Sequence, residues 1–216
     1  MEAHTGIKKE KRRDFHVVFK EAGILLAITL IAGLLLGFVY ELTKEPIAEQ
    51  KRKAIKEACM AVFQEASSFE ALEYSPSQGL QEQLAAMGVS SGSAYEALGS
   101  DGRLLGYVVE SVSKRGYGGQ IVLYAGIALD GTLNGVSILD ISETPGLGMR
   151  AGDVLVPQFQ GKNVGSFVYT KTGAEAENEI DAITAATVTT RAFTNAVNGA
   201  LQMARELGVQ GGGGNE

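Results

Sequence analysis

Four threonine hydroxyls fall within seven residues, at Thr184, Thr187, Thr189 and Thr190, in the stretch Asp181-Ala-Ile-Thr-Ala-Ala-Thr-Val-Thr-Thr190. Directly after them, apolar residues recur at Phe193, Ala196, Val197, Ala200, Leu201, Ala204 and Leu207. That spacing is the one-faced stripe of an amphipathic helix packed on a core. The first turn of a helix carries unpaired N–H groups and a partial positive charge, so it favours anions such as phosphate. Thr184 or Thr187 therefore stands either to cap the helix or to hold a phosphate group at its start. A second stretch, Glu143-Thr-Pro-Gly-Leu-Gly-Met-Arg150, combines a proline with two glycines, which fixes a turn and brings backbone close to a neighbour. A third, Lys114-Arg-Gly-Tyr-Gly-Gly119, is glycine-rich but leads into no helix with a Walker lysine, and reads as a flexible hairpin connection.

Counting removes several chemistries. The two histidines, His4 and His16, both lie near the start of the chain. The rest of it has no imidazole for a Ser-His-Asp triad or a histidine-ligated zinc site. The single cysteine, Cys59, cannot form an internal disulfide or ligate an iron–sulfur cluster alone. It sits in an apolar helical pattern with Ile55, Ala58, Val62 and Phe63 and reads as a buried, inert thiol. Any redox chemistry here must borrow an organic cofactor. Residues 1–40 hold six basic and four acidic side chains, the remainder thirteen and twenty-one. An acidic body without a basic-aromatic stripe is a poor partner for nucleic acid.

Asp181-x-x-Thr184-Ala185-Ala186-Thr187 resembles the flavin-attachment motif Asp-x-x-Ser/Thr-Gly-Ala-Thr of membrane FMN-binding proteins. In that family the last threonine carries FMN through a phosphoester bond, so the resemblance implies Thr187 as the attachment residue. The glycine usual in the motif is Ala185 here. If that glycine serves a positive φ, Ala185 is strained; if it serves close approach, one methyl is tolerated. The family also carries a Glu-Thr-Pro-Gly-Leu-Gly segment some forty residues earlier, lying against the flavin. Here forty-three residues separate Thr144 from Thr187, and Gln158-Phe-Gln-Gly-Lys162 is similar to the family as well. The resemblance runs from about residue 15 to 207 and is to the G subunit of the Rnf electron-transport complex, the ion-translocating ferredoxin:NAD oxidoreductase. The related C subunit of the sodium-pumping NADH:quinone reductase, usually longer, shares the domain and the motif.

What the resemblance implies is an electron-transfer subunit without bond-making catalysis of its own, relaying electrons through covalent FMN. Thr184 would donate to the phosphate beside Ala185 and Ala186. Asp181 would position the loop or assist the attaching flavin transferase. Glu143, Thr144, Gly146 and Leu147 would pack on the isoalloxazine. The implied partners are that transferase and other membrane subunits. Two further readings remain beside it: a membrane-tethered binding module whose threonines are only caps, and a structural subunit.

The elements that must position these residues follow from patterning. Residues 1–21 form a polar, basic tail. Residues 22–40, AGILLAITLIAGLLLGFVY, carry no charge and reach about 28 Å as a helix, enough to cross a hydrocarbon core of roughly 30 Å. The length and the run straight into Glu41 argue for an uncleaved anchor rather than a signal peptide. Gly33 and Gly37 place small residues on one face of it. The basic residues before the span predict a cytoplasmic N-terminus and an extracytoplasmic body. After Pro46, residues 47–63 read as a separate amphipathic helix, and residues 67–93 show no readable pattern. Asp101-Gly102, Asp130-Gly131 and Asn134-Gly135 are hairpin-turn dipeptides between strands expected over 104–113, 121–129 and 136–139, an antiparallel meander with one covered face. The expected class is α+β: one transmembrane helix, then an FMN-binding domain with an antiparallel sheet flanked by helices. Its segments are 1–21, the span 22–40, a linker and first part 41–93, the binding domain 94–207 and a flexible tail 208–216.

Overall fold

A computed structural model describes residues 3–210, with side chains from Val18 onward. Residues 1–2 and 211–216, most of the expected flexible tail, lie outside the described residues. The chain divides into two units, Met1–Arg52 and Lys53–Glu216.

The first unit is helical throughout its described length, and its helix α1 (Ala3–Val62) continues into the second. An 18-residue window within it has mean hydropathy 2.6, long and apolar enough to cross a membrane by length and composition. Its large side chains are exposed, Leu36 by 72% and Phe38 by 68%. The threonine of the span, Thr29, donates to the carbonyls of Leu25 and Leu26, both at 3.0 Å. A polar group satisfied inside its own helix is what a hydrocarbon environment demands. The separate helix expected after Pro46 does not exist, because α1 runs through Pro46 without ending. The proline removes a single N–H donor, while good helix formers flank it and the Lys44–Glu41 pair at 2.8 Å spans one turn just before it.

In the second unit, β1 (Ser68–Leu72), β2 (Val89–Leu98), β3 (Leu104–Ser113), β4 (Ile121–Ala128) and β5 (Leu133–Ile141) form an antiparallel meander in chain order. Residues 67–93, without a readable pattern in sequence, hold β1, the start of β2 and, between them, helix α2 (Gln78–Met87). Ser77 Oγ caps α2 at Leu80 N–H and Gly88 closes it at φ 74°, the asymmetric pair of helix stops that Ser and Gly provide. Short helices α3 (Ala151–Val154) and α4 (Val156–Phe159) follow the sheet. A two-stranded parallel pair, β6 (Val168–Thr170) and β7 (Glu179–Asp181), then leads to helix α5 (Thr187–Glu206).

The sheet is covered on both faces, not one. On one side Val109, Leu123, Ala125 and Ile127 meet the α5 stripe, with Phe193, Ala196, Val197 and Ala200 all fully buried. On the other, Val108 and Tyr124 pack with Ala58, Cys59, Val62 and Phe63 from the end of α1. The inner strand β4, IVLYAGIA, shows the reason: it is apolar without alternation, the pattern of a strand buried twice. Asn134-Gly135 is not a turn either; it lies in β5, with Gly135 paired to Gly126 of β4. A Cβ on Gly126 would sit 2.5 Å from the carbonyl oxygen of Val62, so the absence of a side chain seats the helix end on the sheet. The packed chain continues past Leu207: Val209 is buried, and the N–H of Gln210 donates to Leu129 at 3.0 Å.

Candidate functional site

Three connections meet at the start of α5. The first is the turn after β5. Gly146 takes φ 77°, and the N–H groups of Leu147 and Met149 both return to the carbonyl of Thr144, at 3.1 and 3.2 Å. Gly148 is pressed on its neighbours: a Cβ there would lie 2.6 Å from Thr189 Oγ1 and 2.8 Å from Glu143 Cβ. The turn is thus folded tightly against the first turn of α5, and this close approach requires a residue without a side chain.

The second connection is the β3–β4 hairpin, residues 114–120. Its ends are fixed by the pairing of Ser113 with Ile121 and of Ile121 with Ile141, which places it beside Glu143. Glu143 is 7% exposed. Its carboxylate accepts the Tyr117 N–H at Oε1, 2.8 Å, and the Thr189 hydroxyl at Oε2, 3.0 Å.

The third is the loop from Asp181 to Ala186. Gln158 grips its start in both directions, accepting the Asp181 N–H at 2.6 Å and donating to the Asp181 carbonyl at 3.2 Å. The Asp181 carboxylate accepts Ala174 N–H at 2.8 Å, so its task is to hold the loop that joins β6 to β7. Within that loop the N–H groups of Glu175 and Ala176 hold the Glu179 carboxyl below its usual range. Further on, Thr190 Oγ1 accepts Ile183 N–H at 3.1 Å and donates to the Ala186 carbonyl at 3.0 Å. Ala185 stands at φ 62°, the one described residue other than glycine with positive φ. Of the two readings of the motif's glycine, the structure selects the positive φ.

Capping by Thr184 or Thr187 is not found. The N-cap is Ala186, with no side-chain capping bond, and Thr187 is the first helical residue. The first helical bond of α5 runs from Thr190 N–H to Ala186. The N–H groups of Thr187, Val188 and Thr189 therefore lie ahead of the helical ladder, as in any first turn.

Where the three connections meet, an open pocket of about 430 Å³ has Thr187 in its wall. Leu147, Val188 and Tyr117 supply its apolar side; they are exposed by 38%, 39% and 74%. Glu143, Thr144, Gly148, Ala185, Ala186 and Thr189 complete it. The structure thus brings together six of the expected residues, Glu143, Thr144, Leu147, Ala185, Ala186 and Thr187. Asp181, Thr184 and Gly146 stand outside the lining. Sequence reasoning missed Tyr117 and Val188, and saw Thr189 only as a member of the hydroxyl cluster, with no role of its own. The glycines around Tyr117 were the available signal, since a loop that lets backbone approach a buried carboxylate needs them.

A volume in the range of cofactor clefts, apolar walls and a hydroxyl at a helix N-terminus fit a flat ring system carrying a phosphate. Comparisons with known proteins agree. The family of FMN-binding domains matches residues 116–202, and the RnfG N-terminal region matches residues 16–62. The G subunit of the Na(+)-translocating ferredoxin:NAD(+) oxidoreductase complex of Acetobacterium woodii is 32% identical over 205 residues, 93% of this chain and 98% of that one. The G subunit of the proton-translocating ferredoxin:NAD(+) oxidoreductase complex of Clostridium ljungdahlii is 30% identical over 193 residues, 89% and 94% of the two chains. Among solved structures, Shewanella oneidensis NqrC aligns over 55% of this chain and 56% of its own, at 23% identity and a TM-score of 0.42.

Proposed function

The chain belongs to the RnfG family, the G subunits of ion-translocating oxidoreductase complexes, and on that premise we propose that it relays electrons through FMN bonded to Thr187 by a phosphoester. One observation carries this reading. Thr187 is at once the first residue of α5 and part of the wall of an apolar-sided pocket.

FMN supplies a carrier that accepts electrons in pairs and passes them on singly. The residues of this chain hold it. Thr187 would provide the bonded oxygen, and the N–H groups of the first turn of α5 would stabilise the phosphate charge. The helix dipole acts in the same sense. Leu147, Val188 and Tyr117 would hold the ring and screen part of it from water. Asp181 and Gln158 fix the loop that delivers Thr187 to the pocket, while Thr184, outside the lining, leaves the phosphate to the backbone. A covalent bond suits a domain outside the cytoplasm, where a dissociating cofactor made inside the cell would be lost by dilution. That placement rests on the basic residues ahead of the span. The partners are the other membrane subunits of the complex and a flavin transferase that forms the ester.

The test is co-expression with a flavin transferase followed by a denaturing gel viewed under ultraviolet light. The wild-type band fluoresces, Thr184→Val fluoresces, and Thr187→Val is dark. A bright Thr187→Val band would move the attachment to another hydroxyl.

A further inference from the structure

Glu143 is a buried carboxylate that pairs with no cation among the described residues. A carboxylate only accepts hydrogen bonds, and both of its oxygens are already engaged by donors of the protein, the Tyr117 N–H and the Thr189 hydroxyl. Burying a charge in this way is costly unless hydrogen bonds to the charged form compensate it. Thr189 is the third residue of α5, so the positive end of the helix adds to that compensation. The two bonds join segments 26 and 46 residues away from Glu143. The hairpin is shaped to receive them, because a Cβ on Gly116 would lie 2.6 Å from Glu143 Oε1.

Tyr117 itself is 74% exposed and has little packing of its own to hold it at the pocket wall. Its backbone anchor is the Glu143 carboxylate.

From this geometry, and resting on the reading of Thr187 given above, we propose that Glu143 is a positioning residue. Its carboxylate clamps the Tyr117 hairpin to the first turn of α5 and so sets how far the flavin ring is screened from water. It acts through Tyr117 and Thr189, with no donor to offer the ring.

The experiment uses the full chain in detergent, co-expressed with a flavin transferase, as wild type, Glu143→Ala, Glu143→Gln and Thr189→Val. Hydrogen exchange is read over residues 114–119, and iodide quenching of flavin fluorescence reports access to the ring. Glu143→Ala speeds exchange of the hairpin about tenfold, the factor expected from losing one charge-assisted hydrogen bond, while β3 and β4 keep their protection. Quenching rises with it, and the covalent adduct remains. Thr189→Val removes one arm of the clamp and gives a smaller change in the same direction. Glu143→Gln restores wild-type behaviour to within about threefold, because its amide oxygen accepts from Tyr117 while its NH2 donates to Thr189, whose hydroxyl reverses. Wild-type exchange in Glu143→Ala overturns the clamp. Glu143→Gln quenched as strongly as Glu143→Ala also overturns it, since the charge would then act on the flavin directly. Should Glu143→Ala fail to accumulate, Glu143→Gln and Thr189→Val decide alone. Absence of the adduct in wild type strikes the Thr187 reading instead, and the exchange data still judge the clamp.

Discussion

The threonines around the start of α5 divide their labour. Thr187 lines the pocket, Thr189 serves Glu143, and Thr190 ties Ile183 to Ala186. Residue type and spacing made the cluster visible but not this division, because a hydroxyl's partner depends on the loop conformation around it. Thr190→Val removes an acceptor from a buried N–H and is expected to cost about 1–3 kcal/mol, measured as a lower unfolding midpoint in denaturant. Ala185 gives the opposite sign. A left-handed conformation costs a non-glycine residue about 1–2 kcal/mol, while glycine adds about 0.4–1 kcal/mol of unfolded-chain entropy. Ala185→Gly therefore stabilises the chain by roughly 0.5–1 kcal/mol and raises its melting temperature. A lower melting temperature would mean that the methyl group packs usefully.

The elements owe their arrangement to where side chains are missing as much as to where they are apolar. The hairpins at Asp101-Gly102 and Asp130-Gly131 were legible because their glycines stand at φ 74° and 91°, as the turn type requires. Asn134-Gly135 carries the same letters for another reason: with Gly126 it forms a bare patch under Val62. Only the docked end of α1 reveals that use. Strand β1, half exposed at the sheet edge, has no alternation strong enough to announce itself. The bare patch makes a prediction. Gly126→Ala lifts the end of α1 and destabilises the second unit by about 1–3 kcal/mol, as overpacking does. Cys59 reports the change. Burial pushes its thiol up to about 11, so in the wild type it resists alkylation at pH 8, where almost none is thiolate. In Gly126→Ala, labelling becomes fast at the same pH. Unchanged labelling would show that the helix end is held elsewhere.

At the scale of the whole molecule, an apolar helical stretch is followed by a sheet-and-helix unit whose pocket gathers Tyr117, Leu147 and Thr187 from three connections far apart in sequence. The uncharged span was plain from composition, and the membership of the family from the two motifs that resemble it. The pocket was legible only in part, because Tyr117 reaches it through a fold that no local pattern encodes. A phosphatase fused after Glu216 is expected to be active and a fluorescent protein there dark, reporting a body outside the cytoplasm; the reverse pair of results would invert the orientation. The central claim, that Thr187 carries the flavin, meets its most direct test in intact-mass and peptide mass spectrometry of the denatured chain made with a flavin transferase. The wild type gains the mass of FMN less one water on the peptide holding Thr187, and Thr187→Val gains nothing. An adduct that survives Thr187→Val, or one that maps to another peptide, would contradict the account.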